Sequence, residues 1–315
     1  MTACVILGTV FTAMVIIEFV DGPTATSTRI NMVPSLDLPA ITVCPKIPDA
    51  YNETAILMDI NESLPNLTRD DAIDLIRFFI GGNGMENMDA LNHMNRTTID
   101  RLTLWYREWS RGYDTTSFFL MISTKYGYTC EDFFLGCAIG AKKVNCCYDL
   151  FIKTYVMRRG TCFRTRRGIN QTEADDIGRL QLSMRALPSI TSPQFDYVQP
   201  QLIAYVTDNY EKTVDFPRFY IGPQEWNRMR FTARHIDLIE RKGICTNQII
   251  GRDAGCLIRK WVRSNIAIPF NCTLSYLESV VSIPNTSGTC DPDVIAQNYL
   301  ANIDEISYPE AVDEI

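Results

Sequence analysis

Histidine is nearly missing from this 315-residue chain: only His93 and His235 are present. Imidazole metal sites and imidazole proton relays, the commonest carriers of zinc chemistry and general-base catalysis, therefore start without their ligands. Positive charge is also in deficit, with 30 Lys and Arg against 37 Asp and Glu, a formal charge of -7 and a pI near 5.0. Binding to duplex nucleic acid needs clustered cations to neutralise phosphates, so nucleic acid is excluded as a partner. A glycine-rich phosphate loop is lacking too. Gly81-Gly82-Asn83-Gly84 follows a helical pattern without the Lys and Ser or Thr that would meet phosphate and metal, and reads as a turn. No G-x-S-x-G elbow, no H-E-x-x-H pair and no Cys with a neighbouring His is found, so nothing supports an enzyme or implies a cofactor. The acidic pairs Asp70-Asp71 and Asp175-Asp176 read as solvated loop charge.

What is plentiful is apolar surface, at 46% of positions, and cysteine, at eleven. The N-terminus runs from Thr2 to Val20 with Glu18 as its only charge. A helix needs roughly 20 mainly apolar residues to cross a bilayer. No Lys or Arg precedes the run and no clean small-x-small site follows it, so a membrane helix is favoured over a cleaved signal peptide. Seven sequons, at Asn52, Asn61, Asn66, Asn95, Asn170, Asn271 and Asn285, exceed the roughly two to three that chance predicts from this content of Asn, Ser and Thr. They place everything after residue 21 on the luminal side, with the N-terminus inside. Apart from Cys4 in the apolar run, ten cysteines remain: Cys44, Cys130, Cys137, Cys146, Cys147, Cys162, Cys245, Cys256, Cys272 and Cys290. Their spacing lacks a paired C-x2-C framework and no His is near, so disulfides in an oxidising compartment are the better reading.

Along the chain, Leu38 to Cys44 reads as a β-branched strand stopped by Pro45. From Thr68 an N-cap, an acidic residue three positions later, helical apolar spacing and a glycine stop predict a helix. A second helix is predicted over Thr98 to Ser110, with Ile99, Leu102, Trp105, Tyr106 and Trp109 on one buried stripe. Strands are expected at Leu202 to Thr207 and over Arg228 to His235, and a helix over Gly255 to Arg263. The basic run Arg158, Arg159, Arg164, Arg166 and Arg167 reads as a solvated strand face, and convertase cleavage after it is disfavoured because Cys162 anchors the segment.

The segment Leu38, Pro39, Ala40, Ile41, Thr42, Val43, Cys44 resembles the F-P-A-[VI]-T-[IVL]-C signature of the degenerin and epithelial sodium channel superfamily, the amiloride-sensitive sodium channels. Cys137 to Phe151 followed by Gly160-Thr161-Cys162-Phe163 is similar to a second family run, Met229 to Cys245 to the entry into the thumb, and Cys256, Cys272 and Cys290 to the thumb ladder. In the family's order, these stretches cover about residues 2 to 300. The resemblance implies an α+β membrane protein: one N-terminal transmembrane helix and a large disulfide-rich extracellular domain with a β palm and β-ball and a helical finger and thumb. The implied boundaries are 1–20 for the membrane helix, 21–45 for a linker and first palm strand, 46–150 for the finger, 151–240 for palm and β-ball, 241–290 for a thumb-like cysteine region and 291–315 for a return toward the membrane. It further implies pairing of Cys44 with Cys162, of Cys137 with Cys146 or Cys147, of Cys272 with Cys290 and of Cys245 with Cys256. As a subunit of a homo- or hetero-trimer in the plasma membrane, passing sodium ions in the full-length assembly, the chain would use its ectodomain as a sensor of ligand, acid or force. The family's second membrane helix with its selectivity filter is not seen in the sequence. That leaves two expectations: a partial channel subunit, or a single-pass, non-conducting ectodomain that pairs with full-length subunits.

Overall fold

The computed structural model describes residues 2–21, 34–87, 90–173, 177–185, 187–195, 200–207, 218–223, 226–230, 254–278 and 288–304. The chain divides into two units, Met1–Leu36 and Asp37–Ile315.

The first unit is dominated by one helix, α1 (Thr2–Asp21), whose described side chains, among them Val5, Phe11 and Ile17, are exposed. Among the described residues no helix is long and apolar enough to cross a membrane.

The second unit combines a helical layer with two antiparallel sheets. A two-residue strand β1 (Leu36–Asp37) precedes β2 (Ala40–Pro45). The helices α2 (Glu53–Ser63), α3 (Arg69–Gly82), α4 (Arg96–Trp109) and α5 (Thr115–Lys125) follow. Each is capped by the residue its sequence offers. Asn52, Thr68, Asn95 and Asp114 each accept a hydrogen bond from the backbone N–H three residues on. Asn95 explains why α4 begins two residues before Thr98, where the helix is predicted to start. On that stripe Ile99, Leu102, Tyr106 and Trp109 are buried, while Trp105 is half-buried under the Arg101 guanidinium. Gly81 and Gly82, expected as a turn, instead finish α3 and are buried. A Cβ on Gly82 would sit 2.6 Å from Pro292 Cβ, so the absence of a side chain lets α9 (Pro292–Gln297) close on α3.

A short helix α6 (Cys130–Phe133) leads into β3 (Phe134–Ile139) and β4 (Lys142–Val144). A π-helical turn at Cys146–Leu150 then opens the hairpin β5 (Phe151–Val156) and β6 (Gly160–Thr165). The strands β7 (Asn170–Gln171), β8 (Leu180–Met184), β9 (Leu202–Thr207) and β10 (Arg218–Ile221) follow. The larger sheet has the order β10-β9-β2-β6-β5 and the smaller β4-β3-β8. α7 (Ala254–Val262) starts one residue before the helix expected there. The strand expected over Arg228 to His235 lies mostly outside the described residues, and residues 226–230 are not in a strand.

Two cores result. The helical one is aromatic: Phe79 meets Trp109, Phe118 and Phe119 at ring distances of 5.6, 6.0 and 6.0 Å, and Phe119 reaches Tyr155 of β5 and Tyr276. The second lies over the sheets, with Phe133, Phe134, Phe151 and Phe163 in mutual contact.

Candidate functional site

The signature segment is the centre of the larger sheet. β2 is bonded along its length to β9, from Ala40↔Thr207 to Pro45↔Leu202, and on its other side to β6 at Thr42↔Arg164 and Val43↔Phe163. Pro45, expected to end the strand, is its last residue. Ile41 N–H donates to Thr165 Oγ1 at 2.9 Å, and Ala40, Thr42, Val43 and Cys44 are at most 1% exposed. Leu38 and Pro39 are half-buried ahead of the strand, Leu38 N–H donating to the carbonyl of Ile169. Alternation of β-branched and small residues on both faces suits a strand buried on both sides.

Cys44 is covalently joined to Cys162 of β6, 118 residues on, with Cα atoms 4.5 Å apart. Three further disulfides are present among the described residues. Of the two partners left open for Cys137, Cys146 is the one bonded. Cys147 bonds Cys130, and Cys272 bonds Cys290. Cys245 lies outside the described residues, as does the side chain of Cys256 on α7. The sequon asparagines Asn52, Asn61, Asn66, Asn95, Asn170 and Asn271 are all exposed, and Asn285 lies outside the described residues.

From Cys162 the chain runs back into the tip of the β5–β6 hairpin, and here the sequence reading needs correction. The basic run is not a solvated face: Arg158, Arg159 and Arg164 are 5%, 7% and 7% exposed, and only Arg166 and Arg167 face solvent. Hairpin tips ordinarily lie on the surface. This one is inserted between the helical layer and the residues after Cys272, because a carboxylate and two tyrosines wait for it there. The Arg158 guanidinium pairs with the Glu86 carboxylate, which lies just beyond the end of α3. Arg158 N–H donates to Tyr276 Oη at 2.9 Å, and Glu86 N–H donates to the Arg158 carbonyl at 2.8 Å. Tyr276 in turn donates to the carbonyl of Gly84, and Tyr299 to that of Met85. Burial drives the Tyr276 phenol well above its ordinary value, so it remains a neutral donor. Arg158 adopts a left-handed conformation (φ 63°), as does Gly160 (φ 65°), whose hypothetical Cβ would lie 2.6 Å from Met85 Sδ. Only glycine lets the strand approach the methionine at that point.

The neighbouring turn is fixed by a second buried acid. Asp49 Oδ2 accepts from Ser189 Oγ (2.6 Å), Thr191 N–H (2.8 Å) and Thr191 Oγ1 (2.7 Å), and the Thr191 carbonyl accepts from Arg77 of α3. Burial raises the Asp49 carboxyl above the usual carboxylate range, and the Ser189 and Thr191 hydrogen bonds offset part of that rise. No grouping of His, Cys, Asp and Glu suited to a metal occurs among the described residues.

What emerges is a covalently stapled strand joined through a buried cationic hairpin tip to a helical layer. The family model for amiloride-sensitive sodium channels matches residues 1–250. The chain belongs to the amiloride-sensitive sodium channel family. The matched region takes in β2, the β5–β6 hairpin and both sheets, while Tyr276 and the Cys272–Cys290 bridge lie beyond it. Among curated proteins none matches the chain. Amiloride-sensitive sodium channels, the degenerin and epithelial sodium channel superfamily, are membrane proteins that assemble as trimers and transport sodium ions. Neither Asp49 nor Glu86 was singled out from the sequence. The pairing of Glu86 with Arg158 spans 72 residues and leaves no local pattern. The one available clue was five arginines crowded around a cysteine.

Proposed function

We propose that the chain is a sodium-channel subunit whose second unit is an extracellular sensor, anchored by α1 in the plasma membrane and glycosylated at its exposed sequons. Strain arising in the helical layer passes through Glu86 and Tyr276 to the tip of the hairpin, along β6, across the Cys44–Cys162 bridge into β2, and from there toward α1. The observation that carries this reading is the position of β2: it is the central strand of the five-stranded sheet, bonded on both sides and covalently to β6, and the first strand of that sheet in chain order. A strand held on both sides and by a covalent link cannot move independently of the sheet, so a displacement of the hairpin must displace it. Co-expression with full-length subunits of the family, recording amiloride-blockable sodium current, tests the reading. The expected result is a current whose gating is altered by Cys44→Ser. A current indifferent to the presence of the chain would overturn it.

A further inference from the structure

We propose that the cleft beside the hairpin tip is a binding site for a small organic monocarboxylate, its carboxylate held by Arg159 and its apolar body by the ring of aromatic side chains around it.

The cleft lies where the two cores meet. It has about 430 Å³ of empty space, the open solvent at its mouth included. Tyr51, Phe119, Tyr128, Phe133 and Phe163 line it together with Pro45 and Pro48. Apolar rings with one convergent charged group are the usual composition of a small-molecule site.

Charge selects the ligand class. Arg159 lines the cleft and is 7% exposed, yet among the described residues no carboxylate lies within ion-pairing distance of it. Among the described residues its guanidinium donates from Nη1 to the Lys46 carbonyl at 2.6 Å, which leaves further N–H groups of the fork to serve a ligand. The nearby Glu86 is already engaged by Arg158. A buried guanidinium without a counter-anion is costly, and a planar fork matches a carboxylate in two parallel hydrogen bonds. Burial first, and then the Arg159 charge, hold the Lys46 ammonium below its ordinary value, with Glu86 acting in the opposite direction. The site is independent of the channel reading, since it would bind whether or not the chain conducts.

The test uses the full-length, detergent-solubilised glycoprotein with 4-fluorobenzoate as the probe, read by fluorine NMR. Saturable binding is expected, with 4-fluorobenzamide, which has the same ring without the charge, failing to compete. Arg159→Gln should weaken binding about tenfold or more, and Arg159→Lys, which keeps the charge and protects against loss of folding, should retain a part of it. Absence of saturable binding to the unmodified protein, equal competition by the benzamide, or equal displacement by chloride would each overturn the assignment of an organic carboxylate.

Discussion

Asp49 and Arg158 are both charged groups taken out of water, and they respond differently. Arg158 is matched by Glu86, whereas Asp49 meets only neutral donors, so burial leaves its folded-state proton affinity raised. The sign follows: a carboxyl with a raised folded pKa contributes stability that is complete below its unfolded pKa and lost as pH climbs through the folded one. Thermal midpoints measured from acid to neutral pH should therefore decline across that window, and Asp49→Asn should flatten the decline. An unchanged slope would show that the carboxyl does not titrate there. At Thr68 two roles coincide, since its hydroxyl caps α3 and also completes the Asn66 sequon. Thr68→Ala should cost about 1 kcal/mol and remove one glycan, Thr68→Ser neither, and Asn66→Gln only the glycan. Melting curves and mass before and after enzymatic deglycosylation separate the three. These residues also mark the limits of the sequence: the Thr68 cap was readable because capping is local, but the partners of Asp49 lie 140 and 142 residues away.

Among the elements, the β5–β6 hairpin meets the segment after α3 through the Arg158–Glu86 pair. Phe79 of α3 is at the centre of the aromatic core, and Phe79→Ala should cost about 3 to 5 kcal/mol in a denaturation experiment. The hairpin should be less tolerant at Gly160 than at an ordinary turn. Gly160→Ala meets both the left-handed backbone and Met85, and is expected to lower the melting temperature, with Met85→Ala recovering part of the loss because it removes the steric component. The elements themselves were largely legible. Leu202 to Thr207 is a strand at the expected residues, and α3 begins where Thr68 predicts. Periodicity and caps are short-range properties, which is why they read well. The burial of the arginines was not legible, because a basic strand with alternating apolar partners looks the same whether its polar face meets water or a distant glutamate.

For the molecule as a whole, the fold joins a long covalent closure to an aromatic helical core. In the chain-entropy account, a bridge spanning 118 residues stabilises by about 4 to 5 kcal/mol, against nearer 2 to 3 kcal/mol for the local bridges. Replacing Cys44 and Cys162 together by serine should lower stability by that larger amount, while replacing Cys137 and Cys146 should cost less. The claim on which the remainder depends is that β2 is tied to β6 in an oxidised body outside the cell. Peptide mapping without reduction, on protein labelled at the surface of intact cells, tests it most directly. The account predicts a single cross-linked species joining the peptides of Cys44 and Cys162, alongside glycosylated Asn52 or Asn95 peptides. A free Cys44 thiol on an unglycosylated, intracellular chain would contradict it.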